Sequence, residues 1–223
     1  MGRGIGRRCA EGRKEDAMVH DGAAEPGRQD DYEAGYAAYA ERMRSLHISR
    51  VAEMPRIELY LDQVLSIVSS ELAFMYAPGE RVVTGAMVNN YVKQRVVPAP
   101  VRKRYARRHL ATLLFVCAFK QVLSIEQIRV LLALAAEADI DSTRAYDDMI
   151  GLFEETLREL FSEDPGEPPA RISSTLRFFN TQGEPVDGKL EGLFENAVIL
   201  LAYSVHVNAV ISLRESAIGG RAL

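Results

Sequence analysis

The chain contains no tryptophan and only two cysteines, Cys9 and Cys117, so it carries no disulfide framework and no cysteine cluster for a metal. Cys9 lies in a polar stretch and Cys117 in an apolar run, which reads as two reduced thiols in a cytoplasmic protein. The four histidines (His20, His47, His109, His206) are scattered, and neither an HExxH pair nor a phosphate-loop glycine pattern occurs. The chain therefore reads as a non-enzyme without metal or cofactor. Gly-Pro turns are sparse through the middle and the apolar repeats have a helical period, which excludes an all-β fold. A bilayer span needs about 20 apolar residues. The uncharged run Ala197–Leu213 is broken by Tyr203, Ser204, His206 and Asn208, so it reads as a core or subunit-interface helix, with no membrane partner. The first 30 residues lack the apolar core of a secretory signal and are expected to be a disordered tail, with Met18 a second candidate start.

One further absence is local. Between Arg81 and Ile125 there is no Asp or Glu, while Arg81, Lys93, Arg95, Arg102, Lys103, Arg104, Arg107, Arg108 and Lys120 all fall there. Both flanks are acidic, and the whole chain is −4. A basic island in an acidic chain points to a localised anionic partner, and nucleic acid is the commonest.

The 223 residues are 48% hydrophobic, enough for a core in one or two domains. Tyr32, Tyr36, Tyr39, Met43 and Leu46 recur on one helical face, a stripe read as packing rather than base stacking. A helix is predicted over 57–75, with Ile57, Leu61, Val64, Val68, Leu72 and Met75 inward, ended by Pro78-Gly79. Thr84 is a good N-cap for the next helix. That helix turns Val88, Tyr91, Val92 and Arg95 one way and Ala86, Asn89, Asn90 and Lys93 the other. The amides there suit an adenine edge and Lys93 a phosphate or guanine; equally, two adjacent asparagines can cap or solvate a poor helix.

Pro98-Ala99-Pro100 cannot be helical, and Val101–Tyr105 then alternates weakly, as in a strand at the edge of a wing that tracks phosphates. Leu110–Phe119 is apolar nearly all round and reads as a central helix. Ser124 and Gln127 form a capping box, with Leu123 stapling to Ile128 and Ile125, Leu132 and Ala135 inward. Helices over 141–161 and 190–216 complete the chain, joined by a Pro/Gly-rich connection with a short element at 172–179. His206 reads as a core polar group, and the paired acids Asp147-Asp148 and Glu154-Glu155 as a solvated face. Two units and two tails result: a tail (1–30), a winged helix-turn-helix unit with its preceding helices (31–136), a helical C-terminal domain (137–216) containing an irregular linker (162–188), and a last tail (217–223).

The order Thr-capped helix, proline exit, basic wing closing on tyrosine, long helix and capped turn resembles the winged helix-turn-helix of MerR-type regulators. The counterparts are Val88-Asn89-Asn90-Tyr91, Val96-Val97-Pro98, Arg102–Tyr105 and Val122–Ile128, within Arg81–Leu132. The arginine expected in a MerR recognition helix is Asn89 here, and the helix-ending glycine is Arg95. The wing is also shorter, so the resemblance implies the scaffold rather than MerR base contacts. A closer resemblance, from Pro55 onward, is to an uncharacterised bacterial family, domain of unknown function 1836. Its MINNYVK and KQVLSIEEI segments are matched by Met87–Lys93 and Lys120–Glu126, and Leu59–Val64 also resembles the family.

The expected fold is mostly α, with a MerR-like winged helix-turn-helix and small β wing ahead of a helical C-terminal domain. The expected function is a DNA-binding transcriptional regulator contacting double-stranded DNA through Thr84, Asn89, Asn90, Lys93, Arg95, Arg102, Lys103, Arg104, Tyr105, Arg107 and Arg108. It would pair as a homodimer through Leu190–Leu213, with any small-molecule effector left open. The alternative is a protein-binding adaptor on a helical bundle, without specific DNA reading.

Overall fold

Seven α-helices carry residues 26–77, 79–162 and 176–218, which the computed structural model describes. They are α1 (Pro26–Arg44), α2 (Leu61–Leu72), α3 (Gly85–Lys93), α4 (Arg107–Phe119), α5 (Ile125–Glu137), α6 (Ser142–Leu160) and α7 (Gly188–Ile218). The mostly helical class follows the sequence. Helix α1 begins inside the stretch expected as a tail, α7 runs just past Ser216, and most of both tails, with residues 163–175 of the linker, lies outside the described residues.

Helix α4 forms the axis because its sequence leaves no polar side to offer water. Every residue from Leu113 to Phe119 is buried, and α2, α5, α6 and α7 pack around it. Cys117 sits there as a free thiol whose burial pushes its pKa up to about 11, so it is held protonated and unreactive. Helix α5 starts as its capping box dictates: Ser124 Oγ accepts from the Gln127 N–H at 3.2 Å, and Gln127 Oε1 accepts from the Ser124 N–H at 2.8 Å. The tyrosine stripe of α1 does pack. Tyr32, Tyr36 and Met43 are buried, and α1 lies on α6 and α7 rather than on the helices that follow it in the chain. Helix α7 turns Val198, Leu201, Ala202, Val205 and Ala209 inward and leaves Leu193, Leu200, Tyr203, Val207 and Ile211 exposed along its outer side. By length and composition it could cross a membrane (mean hydropathy 1.6 over its most apolar stretch), but α1 and α6 cover one side of it.

Two expectations need correction. The helix predicted from Ile57 starts only at Leu61, and Ile57 is exposed. Its apolar side chain fits the period, but residue 59 is held extended: Leu59 and Tyr105 exchange both backbone hydrogen bonds, at 2.9 Å each. Nor does the wing form a pair of β-strands. Its pairing is reduced to the isolated bridges Leu59–Tyr105 and Val101–Arg104.

The paired acids are a third difference. Asp147 and Glu154 do not form a solvated face; with Glu71 they clamp the segment between α1 and α2. The Ile48 N–H donates to Glu154 at 2.7 Å, Ser49 to Glu71 at 2.9 Å and Val51 to Asp147 at 2.8 Å. Arg50 reaches back to grip Glu154 with both terminal nitrogens, at 3.0 and 2.6 Å. The carboxylates thus replace the ladder partners a β-sheet would give these backbone donors, and they tie α2 to α6.

Candidate nucleic-acid interface

Helix α3 is fixed at both ends by its own sequence. The Thr84 hydroxyl accepts from the Met87 N–H at 3.2 Å at the start. At the finish the Arg95 N–H donates to Val92 O at 3.0 Å and the Val96 N–H to Tyr91 O at 2.9 Å, the two bonds of a Schellman cap, with Tyr91 and Val96 both buried. Val88 and Tyr91 anchor the inner side, and burial raises the Tyr91 phenol to about 12. Asn89, Asn90 and Lys93 are exposed.

That cap demands a left-handed residue where glycine is favoured, and the chain supplies Arg95 at φ 59°. The same occurs in the turn beyond Pro100. Arg102 and Lys103 stand at φ 50° and 61°, as the two central residues of a tight turn closed by the Arg104 N–H to Val101 O bond of 2.9 Å. Of the four non-glycine residues with positive φ among the described residues, three are cations of the basic island. Such backbone strain marks positions where the side chain matters more than local ease. Arg95→Gly is therefore expected to raise stability by about 1 kcal/mol, read as a higher urea midpoint with unchanged slope. A lower midpoint would contradict the left-handed assignment.

The sequence-predicted residues divide by what already holds them. Lys93, Arg95, Arg102, Lys103 and Arg108 are exposed and have no carboxylate partner among the described residues. Asn89 is exposed too, while Asn90 accepts from the Gln94 amide at 3.3 Å on the surface. The others are engaged in the fold. Thr84 is a cap, and Tyr105 is buried against Leu59 and edge-on to His109. Arg104 lies 3.6 Å over the Tyr60 ring. Arg107 donates to the carbonyls of Met54, Pro55 and Ala52, so it is a strut for the clamp segment rather than a free cation. Lys120 is likewise turned to Val82 O at 2.9 Å.

Helix α4 begins with Arg107 and Arg108 and has no acid in its first turn, against the preference of a helix N-terminus for negative charge. His109 is buried and acts as its cap: Nδ1 accepts from the Ala106 N–H at 2.9 Å, and Nε2 faces Ala99 O at 3.3 Å. This holds the proline exit against the start of α4. Lys93, Arg95, Arg107 and Arg108 meet there at one cleft, together with Arg56, which charge counting over 81–125 left out. Asn89, Asn90, Arg102 and Lys103 do not line that cleft. Asp147 and Glu154 were also missed as structural residues. Their seven-residue spacing, alongside the buried Tyr146 and Phe153, was the available signal.

Residues 49–149 match the family model described as Domain of unknown function (DUF1836), in agreement with the resemblance carried by Met87–Lys93 and Lys120–Glu126. The match runs from the clamp segment into α6 and takes in α3, the 101–104 turn and the cleft rim. No curated protein and no solved structure matches the chain.

Proposed function

We propose that the chain is a cytoplasmic DNA-binding transcriptional regulator. In this reading α3 presents Asn89, Asn90 and Lys93 to base edges, and the 101–104 turn serves as a short MerR-like wing whose Arg102 and Lys103 meet phosphates. The observation that carries it is the set of exposed, carboxylate-free cations on α3 and the turn, three of the island's cations being held at strained backbone positions. Base-edge contacts discriminate among sequences, whereas phosphate contacts act on all of them and release counterions. The test is titration of a selected and a scrambled duplex at several salt concentrations. The expected result is a linear fall of log affinity with log salt on both, plus a preference for the selected duplex. Asn90→Ala should lose about 1–3 kcal/mol of that preference if its amide reads a base. Equal behaviour of parent and variant on both duplexes would remove α3 as a reading helix.

A second reading has its own observation, the apolar outer side of α7. Leu193, Leu200, Tyr203, Val207 and Ile211 follow a near-heptad spacing over about 27 Å of helix. Such a seam suits a second copy of this chain, and two-fold pairing would give two DNA half-site contacts. Sedimentation equilibrium is expected to show a dimer at tens of micromolar, and Leu200→Glu with Val207→Glu a monomer. A parent that remains monomeric favours a different protein partner, and with it the adaptor.

A further inference from the structure

Where α4, α5 and α6 face one another the chain places small residues, Ala111, Ala135, Ala136 and Ala145, and a cleft of about 1070 Å³ opens between them. This is the size of a site for an organic molecule, at the upper end of the usual range. Its two ends differ in chemistry. The deep part is apolar, with Phe115, Met149, Phe178 and Phe194 all buried. The rim carries the exposed Lys93, Arg95 and Arg108 together with Arg56 and, among the described residues, a single carboxylate, Glu58. Arg107 closes this side with its guanidinium already bound to carbonyls. An entirely apolar ligand would leave the cations unmet, and a wholly polar one would leave the aromatic floor unmet.

We infer that the cleft is a binding site for a small amphipathic anion. Its apolar body, an acyl chain or aryl system, lies against Phe115 and Met149, and its carboxylate, sulfonate or phosphate is held at the rim by Arg95 and Arg108. The two rim groups come from different elements, the end of α3 and the start of α4, so a bound head group joins them. The site stands without the DNA reading, since it needs only the cleft and its rim.

The test uses the full chain without DNA, so its outcome is separate from the duplex titrations. Anilinonaphthalene sulfonate, itself an amphipathic anion, should bind saturably, one per chain, with a fluorescence rise. Dodecanoate should displace it, and dodecyltrimethylammonium, of equal chain length and opposite charge, should not. Arg95→Ser with Arg108→Ser, both at exposed positions, should weaken binding by about tenfold or more, as loss of a charge-assisted hydrogen bond implies. Ala136→Phe should obstruct the cleft and abolish it, with a cooperative thermal transition confirming the fold. Displacement by the cation as readily as by the anion, or binding unchanged in both variants, would overturn the inference. So would displacement by phosphatidylglycerol vesicles without displacement by free dodecanoate, which would make the site a membrane-surface contact.

Discussion

Glu154→Ala is expected to destabilise the protein by about 3 kcal/mol or more, the range for breaking a buried ion pair by removing one partner. The variant leaves the Ile48 N–H without its 2.7 Å acceptor and takes the carboxylate from Arg50, whose half-buried guanidinium keeps only the Ile48 carbonyl at 2.7 Å. It also loosens the tie between α6 and the segment that leads to α2. Glu154→Gln keeps the shape and one acceptor, so a smaller loss of about 1–2 kcal/mol is expected. Urea unfolding followed by circular dichroism measures both. A loss below 1 kcal/mol for the alanine variant would show that the clamp adds little to the fold. Pairing Glu154→Ala with Arg50→Ala in a double-mutant cycle isolates the contact itself.

Under the DNA-binding reading, Arg102→Ala with Lys103→Ala should lower affinity for selected and scrambled duplexes alike, by about 60-fold at 0.1 M salt. The figure follows from two phosphate contacts, each contributing a salt slope of about 0.9. The slope itself should flatten by about 1.8, and the preference between duplexes should persist. Because both residues are exposed and neither holds another part of the described chain, stability should not fall with affinity. If both duplexes bind the double variant as they bind the parent, the turn is not a phosphate clamp. A loss confined to the selected duplex would instead make these side chains base readers.

What the sequence made legible was local. The caps at Thr84 and Ser124 were readable because donor and acceptor lie three residues apart, and α4 because its apolar residues leave no polar side. The start of α2 was not, because the bond that holds Leu59 extended comes from Tyr105, far along the chain. Charge counting found the basic island but not the fate of each cation. Sign is written in the sequence, whereas the carbonyls that occupy Arg107 and Lys120 and the ring under Arg104 are assembled only by folding. Asp147 and Glu154 were hidden similarly, since a carboxylate beside an apolar stripe looks solvated until its partners arrive from Ile48 to Val51. The cleft was invisible altogether, being a gap between alanines on three helices.

The left-handed cations bear on how this protein could be engineered. A laboratory selection for heat resistance alone would find Arg95, Arg102 and Lys103 early, because glycine or asparagine relieves the backbone at each. Every such gain would erase a charge from the surface that gives the chain its basic island. Heat-selected lineages should therefore drift towards robust, weakly basic scaffolds, and a screen meant to keep the charge of the island would have to fix these three positions and seek its stability elsewhere.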